Sequence, residues 1–212
     1  MTLGDGGCMN SNAALVIVDM QNDFVHEQGF ANKYAQAGAG PEYSIDLLNA
    51  PVPRIKKLAE WFRKNRMEII YIYTAVEPDY SDVAMPLKTI AKPREAGALV
   101  KGTWGTRIIE ELTPHESDHR VRKTSFGGFF QTPLDRILRN LDIKTLIITG
   151  VNTSFCVEST VREAVSYGYE VILVSDATAN FDPEGHKATL KVIAAGFGEV
   201  LGTEEVIKLL SS

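Results

Sequence analysis

The chain has 212 residues, of which 44% are hydrophobic and 23% charged, with a formal net charge of −5. That length fits one domain or two small ones, and the apolar share is enough to build a core. The acidic balance, without a Lys/Arg cluster interleaved with aromatics, argues against nucleic acid, and no apolar run approaches the roughly 18–20 residues that span a bilayer.

The N-terminal stretch has no basic segment followed by an apolar one, so it does not read as a secretory signal. It is Gly-rich and reads as a flexible tail over residues 1–12, with a single domain over 13–212. Two cysteines, Cys8 and Cys156, make no disulfide framework. The expectation is a cytoplasmic protein, with no membrane and no nucleic-acid partner.

Ala14–Val18 is a continuous apolar run, as in a strand buried on both faces, and it ends at Asp19. Asp is depleted in strands. A carboxylate there either caps the following turn or serves chemistry. Gln21 to Pro53 reads as a long irregular loop, with Gly29, Gly38, Gly40 and Pro41 along it and His26 as a surface residue. Pro53 then opens a helix whose apolar face is Val52, Ile55, Leu58, Ala59 and Phe62. Glu68–Thr74 reads as the second strand. Ala75 to Thr106 reads as irregular again, and its Lys101-Gly102-Thr103-Trp104 stretch suits either a pocket wall or a packed loop. Ile108–Leu112 is a short helical piece and His119–Lys123 a third strand. Phe126-Gly127-Gly128-Phe129-Phe130 is an aromatic turn, followed by a helix from Pro133 to Leu141.

Leu146–Thr149 is a buried strand that Gly150 is expected to break, and Val157, Val161, Ala164 and Val165 follow at helical spacing. Cys156 lies between. A thiol at a helix N-terminus is expected to shift toward thiolate; the alternative is a small buried apolar residue. Glu170–Val174 is a fifth strand ending at Ser175-Asp176. Pro183–Ala195 is a helix, Glu199–Leu201 a last strand, and Thr203 caps a closing helix over Glu204–Leu210. Strands alternate with helices, which predicts one α/β domain with a doubly wound, mostly parallel sheet.

Asp19, Lys123 and Cys156 end three of these strands, so a parallel sheet would bring them to one edge. An activated thiol needs a base, a positive charge and oxyanion donors. The stretches Val18-Asp19-Met20-Gln21-Asn22-Asp23-Phe24, Lys123-Thr124-Ser125-Phe126-Gly127-Gly128-Phe129 and Gly150-Val151-Asn152-Thr153-Ser154-Phe155-Cys156-Val157-Glu158-Ser159-Thr160 resemble those of the isochorismatase-like cysteine hydrolases, over Ala14 to Leu210. The resemblance implies a six-stranded sheet with helices on both faces and a catalytic triad of Asp19, Lys123 and Cys156. It also implies a cis peptide at Val151–Asn152, with the N–H groups of Asn152 and Cys156 facing an oxyanion, and a homo-oligomer, dimer or tetramer. Gln21, Phe24, Trp104 and Phe126 are the candidate substrate contacts.

Departures narrow the class. Thr74-Ala75-Val76-Glu77-Pro78-Asp79-Tyr80 lacks the His residues that nicotinamidases carry after the second strand, so neither a metal nor another cofactor is expected. The Gly102–Trp104 loop and the Phe129–Asp135 run look most like ureidoacrylate amidases and related N-carbamoyl amidohydrolases. Phe126 stands where Tyr is usual, and Ser154-Phe155 replaces an acidic-Val pair. The expected activity is hydrolysis of a small amide, an N-carbamoyl or ureido compound, through a covalent acyl or carbamoyl intermediate on Cys156. Alternatives are a metal-free nicotinamidase-like amidase, an isochorismatase-type hydrolase, a non-catalytic ligand-binding member of the fold and a redox thiol protein. Lys101 and Arg107 suit either a substrate carboxylate or solvated surface.

Overall fold

The computed structural model describes residues 12–36 and 44–212. Cys8, almost all of the expected tail, and Gly38, Gly40 and Pro41 lie outside the described residues. Six strands, β1 (Ala13–Val18), β2 (Glu68–Thr74), β3 (His119–Lys123), β4 (Thr145–Val151), β5 (Glu170–Ala179) and β6 (Glu199–Leu201), form one sheet in the order β3-β2-β1-β4-β5-β6. Every pairing is parallel. The chain winds outward from β1 through β2 to β3, then returns to lay β4 on the other side of β1. The strand order therefore reverses between β1 and β4, the kind of crevice where open α/β sheets bind ligands.

Nine α-helices are described: α1 (Asn22–Val25), α2 (Phe30–Gln36), α3 (Ile45–Asn49), α4 (Val52–Lys64), α5 (Leu87–Glu95), α6 (Leu134–Asn140), α7 (Glu158–Ser166), α8 (Pro183–Gly196) and α9 (Thr203–Leu210). Side chains alternate across a strand, and β1 shows the result. Leu15 and Ile17 join a core with Leu48 of α3, Ile55 and Phe62 of α4 and Val206 of α9. Ala14, Val16 and Val18 join the opposite core with Leu134 of α6, Val161 of α7 and Ile193 of α8. The sheet is covered on both faces, which is why its strands read as unbroken apolar runs.

Several expectations are corrected. The stretch from Gln21 to Pro53 carries α1, α2 and α3, and Ala75 to Thr106 carries α5, which keeps Pro93 inside it. Pro93 is buried, and its carbonyl accepts from the Tyr80 hydroxyl at 3.2 Å, although its ring costs the helix a backbone bond. Gly150 does not break β4. It pairs with Val18 at a φ of 109°, and a Cβ there would stand 2.1 Å from the Val18 carbonyl oxygen. Only glycine allows β1 and β4 to approach this closely where the order reverses. β5 also runs past Ser175-Asp176. Its register slips there and resumes, with Ile148 opposite Leu173 and Gly150 opposite Thr178. The last helix takes in Thr203, with Gly202 as its N-cap.

Candidate active site

β1 ends and Asp19 follows in a left-handed conformation, φ 52°, its N–H bonded to the Ile72 carbonyl at 2.9 Å. β3 ends on Lys123, and the Cys156 turn follows β4. The three side chains meet. Lys123 Nζ lies 2.8 Å from Asp19 Oδ2 and donates to Cys156 Sγ at 3.4 Å. It also donates to the Ser125 carbonyl at 3.0 Å. The Asp19 and Lys123 side chains are 1% and 0% exposed. A buried ammonium with a buried carboxylate is tolerable only when both are this well paired.

The sequence reading missed Thr74. Its hydroxyl donates to Asp19 Oδ1 at 3.0 Å and accepts from Lys123 at 2.7 Å, tying acid to cation. As a β-branched residue ending an apolar run, Thr74 carries no local signal beyond strand propensity. It also missed Thr160 and Glu163, which share one face of the helical run with Cys156. Thr160 donates to the Cys156 carbonyl at 2.7 Å and accepts from the Gly128 N–H at 3.0 Å. Glu163 accepts from the Phe129 and Phe130 N–H groups at 2.8 and 3.3 Å. The aromatic turn after Lys123 is thereby fastened to the helix carrying the thiol.

Cys156 is not in the first turn of an α-helix. It sits in a π-helical turn, Thr153–Val157, that leads into α7, and the Val151–Asn152 peptide before it is cis. Wide π turns of this kind recur at functional sites. The sulfur packs against the core cluster of α6, α7 and α8. The thiolate expected from the helix dipole is therefore corrected. Burial is the largest influence and, with the Asp19 carboxylate beside it, outweighs Lys123 and pushes the thiol up to about 12. Burial also opposes the Lys123 charge, but Asp19 and Cys156 offset it and hold the ammonium above the usual lysine range. At rest the site is a neutral thiol beside an ion pair. Iodoacetamide labelling of Cys156 is expected to be slow at neutral pH and to keep climbing with pH towards about 12. Asp19→Asn removes a neighbouring negative charge, so it should speed labelling at fixed pH. A rate that has levelled off below neutral pH would mean a resting thiolate.

The other nominated residues are dispersed. Gln21 is fully buried, and its amide is spent on backbone. Nε2 donates to the Thr74 and Thr106 carbonyls at 2.8 and 3.0 Å, and Oε1 accepts from the Thr74 N–H at 2.7 Å. These bonds tie the start of α1 to the end of β2 and to Thr106. Phe24 packs between two hydrophobic clusters. Trp104 meets His26 edge-on at 4.9 Å and lines a cleft of about 620 Å³ with Asp23, Phe30, Tyr34 and Lys92, to which no triad residue contributes. Phe126 is on the turn after β3, its ring 6.2 Å from that of Phe155, the residue before Cys156. Asn152 begins the nucleophile turn, and its buried Oδ1 has no hydrogen-bond partner among the described residues. Lys101 pairs with Glu77 at 3.2 Å on the surface. Among the described residues no three His, Cys, Asp or Glu side chains gather to hold a metal ion. No described helix is long and apolar enough to cross a membrane.

The same arrangement of strands is found in known proteins. The chain is 32% identical over 214 residues to the ureidoacrylate amidohydrolase RutB of Agrobacterium fabrum, covering 95% of this chain and 91% of that protein. Among solved structures, a cysteine hydrolase from Pseudomonas syringae pv. phaseolicola superposes with a TM-score of 0.83 at 30% identity, covering 95% of this chain and 93% of that one. The N-carbamoylsarcosine amidase of Thermoplasma acidophilum superposes with a TM-score of 0.70 at 28% identity, covering 91% and 97%. Residues 13–205 match the isochorismatase domain. With a parallel six-stranded sheet and Asp19, Lys123 and Cys156 gathered where its order reverses, the chain belongs to the isochorismatase family.

Proposed function

We propose that this protein is a cysteine amidohydrolase that cleaves a C–N bond in a small ureido or N-carbamoyl compound. The observation that carries the reading is the Asp19–Lys123 ion pair in contact with the Cys156 thiol at the strand-order reversal. Likeness to a ureidoacrylate amidohydrolase and to an N-carbamoylsarcosine amidase supports the substrate class.

In this reading Asp19 takes the Cys156 proton as Sγ attacks the ureido carbonyl carbon. The Lys123 charge stabilises the sulfur as it becomes anionic. The N–H groups of Asn152 and Cys156 hold the oxyanion. The C–N bond breaks, and the departing nitrogen takes the proton from Asp19 and leaves as ammonia. A thiocarbamate remains on Cys156. Water, deprotonated by Asp19, then attacks it, releasing the carbamate and restoring the thiol. The unpaired Asn152 Oδ1 suits a substrate N–H, since a buried acceptor without a donor costs about 1–3 kcal/mol. A mechanism that turns on a free thiol also suits a reducing cytoplasm. A homo-oligomer, dimer or tetramer, is part of the same proposal and is open to light scattering.

The test is ammonia release from ureidoacrylate and N-carbamoyl acids, compared with nicotinamide. The ureido compounds are expected to give the higher kcat/KM. A tenfold preference for nicotinamide would refute the substrate class while leaving the triad in place. Hydrolysis is also expected to persist after dialysis against a chelator, because the segment after Thr74 offers carboxylates and no imidazole. Full loss restored by zinc or iron would favour a nicotinamidase-like enzyme.

A further inference from the structure

Three phenylalanines gather on the turns at the sheet edge where Asp19, Lys123 and Cys156 meet. Phe126 is on the turn after β3, Phe155 directly precedes Cys156 on the turn after β4, and Phe181 follows the end of β5. The Phe155 ring lies 6.2 Å from Phe126 at 36° and 5.6 Å from Phe181 at 33°. The rings run from one to the next as a tilted wall rather than a parallel stack. Phe155 is 41% exposed although its neighbour Cys156 packs into the core. Phenyl rings at this place offer flat apolar faces and no hydrogen-bonding atom. The open face of Phe155 is apolar area that a bound molecule can remove from water.

We propose that this wall selects the substituent of the substrate: a flat, apolar group, in the simplest case an arene, carried on the nitrogen that stays with the product. The proposal rests on reading the site as a ureido amidohydrolase. The carbamoyl carbon must reach Cys156 Sγ, and the residue adjoining that sulfur in the chain is Phe155, flanked by Phe126 and Phe181. A charged or strongly hydrated substituent would lose its water against these rings with nothing to replace it. An aryl group gains by the same contact, and burying a ring of that size should favour it by roughly 10–100-fold.

The experiment compares ammonia release from phenylurea and from N-carbamoylglycine, for the parent and for Phe155→Ala, Phe155→Leu and Phe155→Tyr. The parent should favour phenylurea by at least about tenfold in kcat/KM. The preference should fall below threefold in Phe155→Ala, fall in Phe155→Leu, which keeps volume but not the flat face, and persist in Phe155→Tyr. The Leu variant decides the matter if the Ala variant does not fold. Equal rates on the two compounds in the parent, or a preference unchanged by Ala and Leu, would overturn the proposal and leave the amidohydrolase reading standing. So would a drop in oligomer mass in Phe155→Ala, which would reassign the ring to a subunit contact. No ammonia from either compound or from ureidoacrylate would remove the amidohydrolase reading and this proposal together.

Discussion

Cys156→Ala is expected to reduce ammonia release by on the order of 10⁴-fold or more, because members of a catalytic unit fail together. Its fold should persist. The substitution removes one sulfur from a half-buried turn whose backbone is held by Thr160 and by bonds to the Asn152 carbonyl. A thermal midpoint within about 4 °C of the parent at neutral pH is the expected outcome, the shift that ~1 kcal/mol produces in a chain this size. Alkaline titration separates the two proteins further. The folded thiol keeps its proton up to about 12, against an ordinary value of 9.0. Between those limits the unfolded chain binds fewer protons than the folded one, so parent stability falls as pH rises. Lys123 acts in the same direction. Its raised folded value gives stability that is complete below 10.5 and is lost as pH climbs through the folded value. Cys156→Ala lacks the thiol's share, so its midpoint should fall less steeply. Hydrolysis within tenfold of the parent would remove Cys156 as nucleophile.

Lys123→Met is expected to lose both activity and stability. The Asp19 carboxylate would stay buried, with the Thr74 hydroxyl and the Cys156 thiol as its remaining side-chain partners. Breaking a buried pair from one side costs about 3–5 kcal/mol, which equilibrium denaturation can read directly. Hydrolysis should fall by several orders of magnitude, since the thiolate formed during attack would lose its counter-charge. The double substitution Asp19→Asn with Lys123→Met separates the two effects. Removing both charges should recover most of the stability, because replacing a buried pair is often near neutral, and should recover no hydrolysis. A Lys123→Met protein as stable as the parent would show that the ion pair is not what holds this edge together.

The sheet and the meeting of Asp19, Lys123 and Cys156 were legible because both follow from where strands end. The apolar run of β1 stops abruptly before Asp19, whereas β3 is mostly charged, and its bounds were nonetheless read as the structure has them. The helices α1, α2 and α3 were not legible, since four to seven residues span too few turns to show a period. Gly150 and Ser175-Asp176 are breakers in isolation. Pairing with Val18 and re-pairing of β5 overrule them, and neither partner is near in sequence. The state of the Cys156 thiol was misjudged for the same reason. A helix terminus is local, whereas the burial that dominates comes from α6, α7 and α8. Thr74, Thr160 and Glu163 act by what they touch across the fold.

The slip in register between β4 and β5 has a bearing on how specificity could drift in this scaffold. From Ile148 to Gly150 the chain advances two residues on β4, while its partner advances five, from Leu173 to Thr178. The surplus is slack in the thread, and it sits upstream of Phe181, on a strand that carries none of Asp19, Lys123 and Cys156. Adding or removing a residue there would draw Phe181 toward or away from Phe155 while Asp19, after β1, and Lys123, at the end of β3, kept their anchorage. Selection acting on length at one bulge would thus have a dial for the width of the aromatic wall that leaves the Asp19–Lys123 pair in place.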